Sequence, residues 1–131
     1  MSIVFDTEAL LAFYLGEPGG KKVEKHLRRI MEGESRGFLS IINLTEFYYI
    51  LHRRSPDLAG EKEMNLRGYG LEVVPVDDDT IWREAAKTKA GHTLSLADAF
   101  AVATAREKNA SLLVGRDPEF NGLGVPLERV S

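Results

Sequence analysis

Ile3-Val4-Phe5-Asp6-Thr7-Glu8-Ala9-Leu10 decides how the rest of the chain is read. Three consecutive apolar residues stop at an acid, and so short and uniform a run is a buried strand. Beyond it, Ala9, Leu10, Phe13 and Tyr14 recur at helical spacing until Gly16-Glu17-Pro18-Gly19-Gly20 breaks the pattern. A strand followed directly by a helix is half of a parallel α/β repeat, and the rest of the chain continues it.

Val23, Leu27, Ile30 and Met31 mark an amphipathic helix from Lys21 to Met31 with a basic outer face. Phe38-Leu39 is a second strand, and Ile41 to Leu51 is a helix rich in large apolar residues. Ser55-Pro56-Asp57 restarts the chain into a helix running to about Tyr69, with Gly70 as its stop. Leu71 to Val76 is a third strand, and Asp77 to Ala90 is a helix ended by Gly91. Ser95 to Lys108 is helical up to Asn109, and Ser111 to Val114 is a fourth strand. After the turn Asn121-Gly122-Leu123-Gly124, Val125 to Leu127 is a candidate edge strand, the position in a sheet that tolerates Pro126. Strands alternating with helices predict an α/β fold. Its central sheet is short and mostly parallel, with four to five strands and helices on both faces. No repeat or linker interrupts the pattern, and residues 1–131 read as one domain of ordinary size.

Composition narrows the function. Hydrophobic residues at 44% and charged residues at 28% are a globular mix that supports one core. The 17 Lys and Arg against 20 Asp and Glu leave a net charge of −3, so no overall positive field draws in nucleic acid. Contact with nucleic acid would need a local patch or a metal ion. Cysteine is absent, which excludes disulfides, thiol catalysis and Cys-ligated zinc or iron–sulfur sites. The start of the chain does not read as a signal peptide, and no run reaches the roughly 18 apolar residues of a membrane span. A cytoplasmic location is expected.

In an open parallel sheet, ligands bind beyond the carboxyl ends of the strands. Asp6 lies at the end of the first strand and Asp117 just past the fourth. Each also reads as a helix cap, Asp117 above all, because Asp117-Pro118-Glu119 joins an N-cap, a proline and a first-turn acid. Two helical acids add weight. Glu46 aligns with Ile42 and Ile50, and Asp98 with Leu94, Ala101, Val102 and Ala105, so each interrupts an apolar stripe. A buried carboxylate needs a partner or a proton. Two unit charges about 4 Å apart repel by roughly 4 kcal/mol at an effective dielectric near 20. Four acids at one place therefore call for cations, and an all-oxygen cluster selects Mg²⁺ or Mn²⁺. His26, His52 and His92 show no metal-ligand spacing with an acid.

The ordered set of Asp6-Thr7, Asn43-Leu44-Thr45-Glu46-Phe47, Leu94-Ser95-Leu96-Ala97-Asp98-Ala99-Phe100-Ala101 and Leu112-Leu113-Val114-Gly115-Arg116-Asp117-Pro118-Glu119-Phe120 resembles the acidic motifs of PIN-domain ribonucleases. The nearest in style are the toxins of VapBC-type toxin–antitoxin pairs. The resemblance spans essentially the whole chain and implies a PIN-like three-layer fold. It also implies a Mg²⁺- or Mn²⁺-dependent endoribonuclease, homodimeric and held by a small antitoxin. It assigns Asp6, Glu46, Asp98 and Asp117 to the catalytic, metal-holding quartet, with Glu119 as an auxiliary acid. Two positions depart from it. Gly115 stands where Thr or Ser is common, and Glu8 where Ser or Asn is common. Loss of the hydroxyl at 115 weakens support for a metal-bound water, which keeps a weak or inactive PIN-like RNA- or protein-binding module as the alternative.

Other features read structurally. Asp77-Asp78-Asp79 opens a helix, where acids favour the positive end of the dipole. Arg28-Arg29 and Arg53-Arg54 read as solvated faces, whereas Arg116, beside Asp117, is placed to meet a phosphate. Phe13, Tyr14, Phe47, Tyr48, Tyr49 and Trp82 read as core or dimer surface. Thr7 is an auxiliary hydroxyl, and Ser95 a helix cap. A phospho-acceptor receiver domain would require paired acids after the first strand and a late lysine. Here Thr7 follows Asp6, and the late strand leads to Arg116-Asp117.

Overall fold

The computed structural model describes residues 1–130. The strands are β1 (Ser2–Phe5), β2 (Arg36–Ser40), β3 (Glu72–Val74), β4 (Ser111–Val114) and β5 (Leu127–Arg129). The helices are α1 (Thr7–Tyr14), α2 (Gly20–Met31), α3 (Ile41–Arg54), α4 (Pro56–Gly68), α5 (Asp79–Gly91) and α6 (Leu96–Glu107), with a 3-10 turn at Pro118–Phe120. The five strands form one sheet in the order β3-β2-β1-β4-β5. Every pairing is parallel.

The pleat sorts the apolar runs onto two cores. Ile3, Phe5, Leu39 and Leu113 face α1 to α4, where Leu10, Leu27, Phe47, Leu51 and Leu66 meet them. Val4, Phe38, Val74, Leu112 and Val114 face α5 and α6. Burial on both faces is why these strands lack polar alternation. In α6, all residues from Ala99 to Ala105 are buried, and its alanines let the helix lie close to the sheet. Gly37 in β2 has a similar use: a Cβ there would collide with Ile30 Cδ1 and stand 2.6 Å from Leu71 Cδ2. Asn109, at φ 51°, ends α6 in the left-handed conformation that Asn tolerates.

Several boundaries differ from expectation, among them the end of α3, which runs on to Arg54 rather than stopping at Leu51. The edge strand lies at Leu127–Arg129 rather than 125–127. Proline has no N–H to donate, and Pro126 instead accepts from Leu112 N–H at 2.8 Å just before the strand begins. Helix α5 begins at Asp79, because Asp78 is its extended N-cap and accepts from Thr80 N–H at 2.8 Å. The third strand keeps only Glu72–Val74, ahead of Pro75. The aromatic group also divides: Phe13, Tyr14 and Phe47 pack in the core, whereas Tyr48, Tyr49 and Trp82 are exposed.

From β1 the chain moves outward through β2 to β3, then returns to the other side of β1 as β4. The reversal of direction opens a crevice at the carboxyl ends of β1 and β4. Phe5 is in register with Leu113, and Asp6 N–H donates to Leu113 O at 3.0 Å. The segments bearing Asp6 and Asp117 therefore leave the sheet side by side.

Candidate functional site

Asp6 is 1% exposed. Its Oδ1 accepts from Ala9 N–H at 2.8 Å and caps α1, as its sequence context suggests. Its Oδ2 is buried with no hydrogen-bond partner among the described residues. Burial pushes the carboxyl well above its ordinary value. The Ala9 N–H opposes that shift, while the charges of Asp98, Glu8 and Glu46 add to it. A buried acceptor without a donor is costly, by about 1–3 kcal/mol and more when charged. The fold leaves this oxygen without a donor from the described residues.

Thr7 belongs to a buried clamp. Asn43 Nδ2, in the first turn of α3, donates to Thr7 Oγ1 at 3.1 Å and to Ala97 O at 3.2 Å. Thr7 Oγ1 in turn donates to Asn43 O at 3.4 Å. These bonds tie the starts of α1, α3 and α6 together, so the helices that carry Asp6, Glu46 and Asp98 are fixed relative to one another. Asn43, fully buried, was no candidate from sequence alone. Its only signal is its place three residues before Glu46.

Asp98 is half-buried in the first turn of α6, where its N–H donates to Ser95 Oγ at 3.1 Å. Ser95 is the N-cap expected of it. Burial raises the Asp98 carboxyl. The hydrogen bond with Ser95 pulls it back, and the charges of Glu46 and Asp117 push it further up. Asp117 caps the 3-10 turn through Glu119 N–H, at 2.9 Å. Its loop is strapped by Arg129 from β5, whose Nη1 donates to Gly115 O at 3.0 Å and to Asp117 O at 2.9 Å. Arg129 Nη2 completes the strap on Asn121 Oδ1 at 2.7 Å. Arg129 was missed as well, having no motif to mark it.

Electrostatically, Asp98 links the set: the charges of Asp98, Glu8 and Glu46 raise Asp6, and those of Glu46 and Asp117 raise Asp98. An open hollow of about 470 Å³ is lined by Glu46 and Asp98 of this set, with Thr7, Glu8, Glu17 and Ser95 and with Arg54 on its wall, while Asp6 and Asp117 lie outside its lining. Arg54 was read as part of a solvated face, yet Glu46, Ile50 and Arg54 are spaced by four and share one side of α3. Among the described residues, no three Asp, Glu or His side chains converge closely enough to hold one ion as they stand. The donor chemistry nevertheless fits a hard divalent cation: carboxylate oxygens, one of them buried and unpartnered, with no sulfur or imidazole among them.

Two expected auxiliaries lie at the margin. Glu119 is exposed, and its backbone N–H serves Asp117. Arg116 is exposed, and its N–H lies 3.4 Å from Glu8 Oε1 as donor. The run Asp77-Asp78-Asp79 is used in structure: Asp78 caps α5 and Asp79 accepts from Trp82 Nε1 at 3.0 Å.

The sequence matches the PIN domain family over residues 3–125. It matches no curated protein. Similar solved structures include a toxin–antitoxin complex from Klebsiella pneumoniae, at 17% identity, 98% coverage of both chains and a TM-score of 0.77. VapBC2 from Rickettsia felis, bound to a DNA fragment from its promoter, has 15% identity, 98% coverage of both chains and a TM-score of 0.79. VapC20 from Mycobacterium tuberculosis, a sarcin–ricin loop cleaving toxin, has 18% identity, 94% coverage of this chain and 95% of its own, and a TM-score of 0.70. At these identities the likeness is one of fold. No helix among the described residues is long and apolar enough to cross a membrane.

Proposed function

The chain belongs to the PIN-domain family, and on that footing we propose that it is a Mg²⁺- or Mn²⁺-dependent endoribonuclease, the toxin of a toxin–antitoxin pair. The observation that carries the reading is Asp6 Oδ2, buried and unpartnered at the β1/β4 switch point, within electrostatic reach of Glu46 and Asp98. Asp6, Glu46, Asp98 and Asp117 would hold the ion. When bound, it supplies the charge that draws a phosphodiester and the acidity that activates a water. The chain's own residues do the positioning. The Ala9 N–H holds Asp6 Oδ1 so that the other oxygen is left for a ligand. Ser95 orients the turn that carries Asp98. Arg54 on the wall of the hollow and Arg116 at the head of β4 meet the flanking phosphates, which explains how a protein of net charge −3 takes an RNA substrate.

Solved proteins of this fold include toxin–antitoxin complexes, which supports an antitoxin as partner; a homodimeric toxin is part of the same proposal. The second reading, a weak or inactive binding module, draws on Gly115, which lacks a hydroxyl, and on the open spacing of the acids. Incubation of the purified chain with structured RNA and Mn²⁺ separates the two. Cleavage that stops with EDTA and with Asp98→Asn supports the nuclease. Metal binding without cleavage supports the module, and cleavage that survives both treatments refutes the assignment.

A further inference from the structure

Glu8 and Gly115, the two positions that depart from the acidic motifs, meet in the folded chain. Gly115 is buried, and its φ lies outside the left-handed region, so its backbone does not demand glycine. The space around it does. A Cβ at 115 would collide with Glu8 Oε1 and Cδ and come within 2.8 Å of Glu8 Cγ. The Gly115 carbonyl is pinned by Arg129, which hinders the backbone from withdrawing. The Glu8 carboxylate lies over the bare Cα, 3.4 Å from Arg116 N–H. It lines the same hollow as Glu46 and Asp98.

We propose that Glu8 and Gly115 are a matched pair: the missing side chain at 115 admits the Glu8 carboxylate to the acidic site as a further oxygen donor for the divalent ion. The inference rests on the metal-dependent reading given under Proposed function. The carboxylate is anionic and is delivered from α1. A further carboxylate strengthens attraction for a hard cation. Glu8 is exposed and its carboxylate is the far end of a flexible side chain, so a small residue at 115 would turn Glu8 out with little strain elsewhere.

Mn²⁺ titration calorimetry on the full chain tests this with Glu8→Gln, Gly115→Ala, the double variant Glu8→Gln/Gly115→Ala, and Asp98→Asn. Circular dichroism first establishes that each is folded. Glu8→Gln is expected to weaken Mn²⁺ binding about tenfold, in the range typical of groups that support a metal site. Gly115→Ala is expected to do the same by expelling Glu8, and the double variant to be no weaker than either single one. Wild-type affinity in Glu8→Gln, or losses that multiply in the double variant, would overturn the pairing. If Asp98→Asn loses Mn²⁺ while Glu8→Gln keeps it, only the Glu8 role fails. If Asp98→Asn also binds normally, the metal-site reading fails, and this inference with it.

Discussion

Replacing Asp6 with Asn separates the buried charge from everything else the residue does. Asn keeps an Oδ1 to accept from Ala9 N–H and nearly the same volume, so the cap on α1 survives. What disappears is a carboxylate that burial has pushed well above its ordinary value of 3.8 and that Asp98, Glu8 and Glu46 repel. An acid whose folded value is raised binds more protons folded than unfolded across the interval between the two values. Stability contributed by its neutral form is complete below 3.8 and is lost as pH rises through the folded value. At pH 7.5 without metal, the wild type therefore carries a penalty that Asn lacks. A poorly paired buried charge costs several kcal/mol, offset by the unsatisfied Nδ2 donor that Asn introduces, leaving a net gain of about 1–3 kcal/mol. For 131 residues the entropy of unfolding is about 0.28 kcal/mol/K, so the Tm should rise by roughly 4–10 °C. With Mn²⁺ at about 1,000 times its Kd, the wild type gains roughly 4.1 kcal/mol and the order should reverse. Differential scanning fluorimetry across pH 4.5 to 8, with and without Mn²⁺, reads both effects. A variant less stable than wild type without metal at pH 7.5, or a stability difference that does not change with pH, would refute the reasoning.

Other substitutions probe the supports. Arg129→Ala removes three hydrogen bonds from the 115–121 loop, so a loss of about 2 kcal/mol and faster amide exchange in that loop are expected; unchanged exchange would contradict the strap. Burial lowers the ordinary 6.5 of His26, against the opposing pull of Glu128, with Arg29 and Lys22 also lowering it. The unfolded chain therefore binds the proton more readily, stability falls as pH drops below 6.5, and His26→Gln should flatten that slope in acid melts. Gly37→Ala forces Ile30 and Leu71 apart and should lower stability by about 1–3 kcal/mol in urea titrations; a neutral result would mean that the β2–α2 contact is looser than its geometry.

Most of the layering was legible because apolar runs buried on both faces and helical stripes follow from chain geometry. That Asp6 and Asp117 lie at strand ends was legible, but that β1 and β4 are neighbours, which brings the two ends together, is set by the fold. Terminal boundaries were harder to place: Pro126 shifts β5 outward, and Asp78 rather than Asp77 caps α5. The supports of the site were hidden for a different reason. Asn43, Arg129 and the Glu8–Gly115 contact each join residues distant in sequence, and no local pattern announces a hydrogen bond that only the fold creates. Arg54 was legible in principle from its spacing with Glu46, but a pair of arginines at a helix end reads first as solvent-facing.

The most direct test is a crystal of the chain grown with Mn²⁺, with anomalous scattering used to locate the ion. The account predicts a peak between Asp6 and Asp98 at the carboxyl ends of β1 and β4, bonded to Asp6 Oδ2. No peak there at saturating Mn²⁺, or a peak only at the Asp77–Asp79 run, would contradict it.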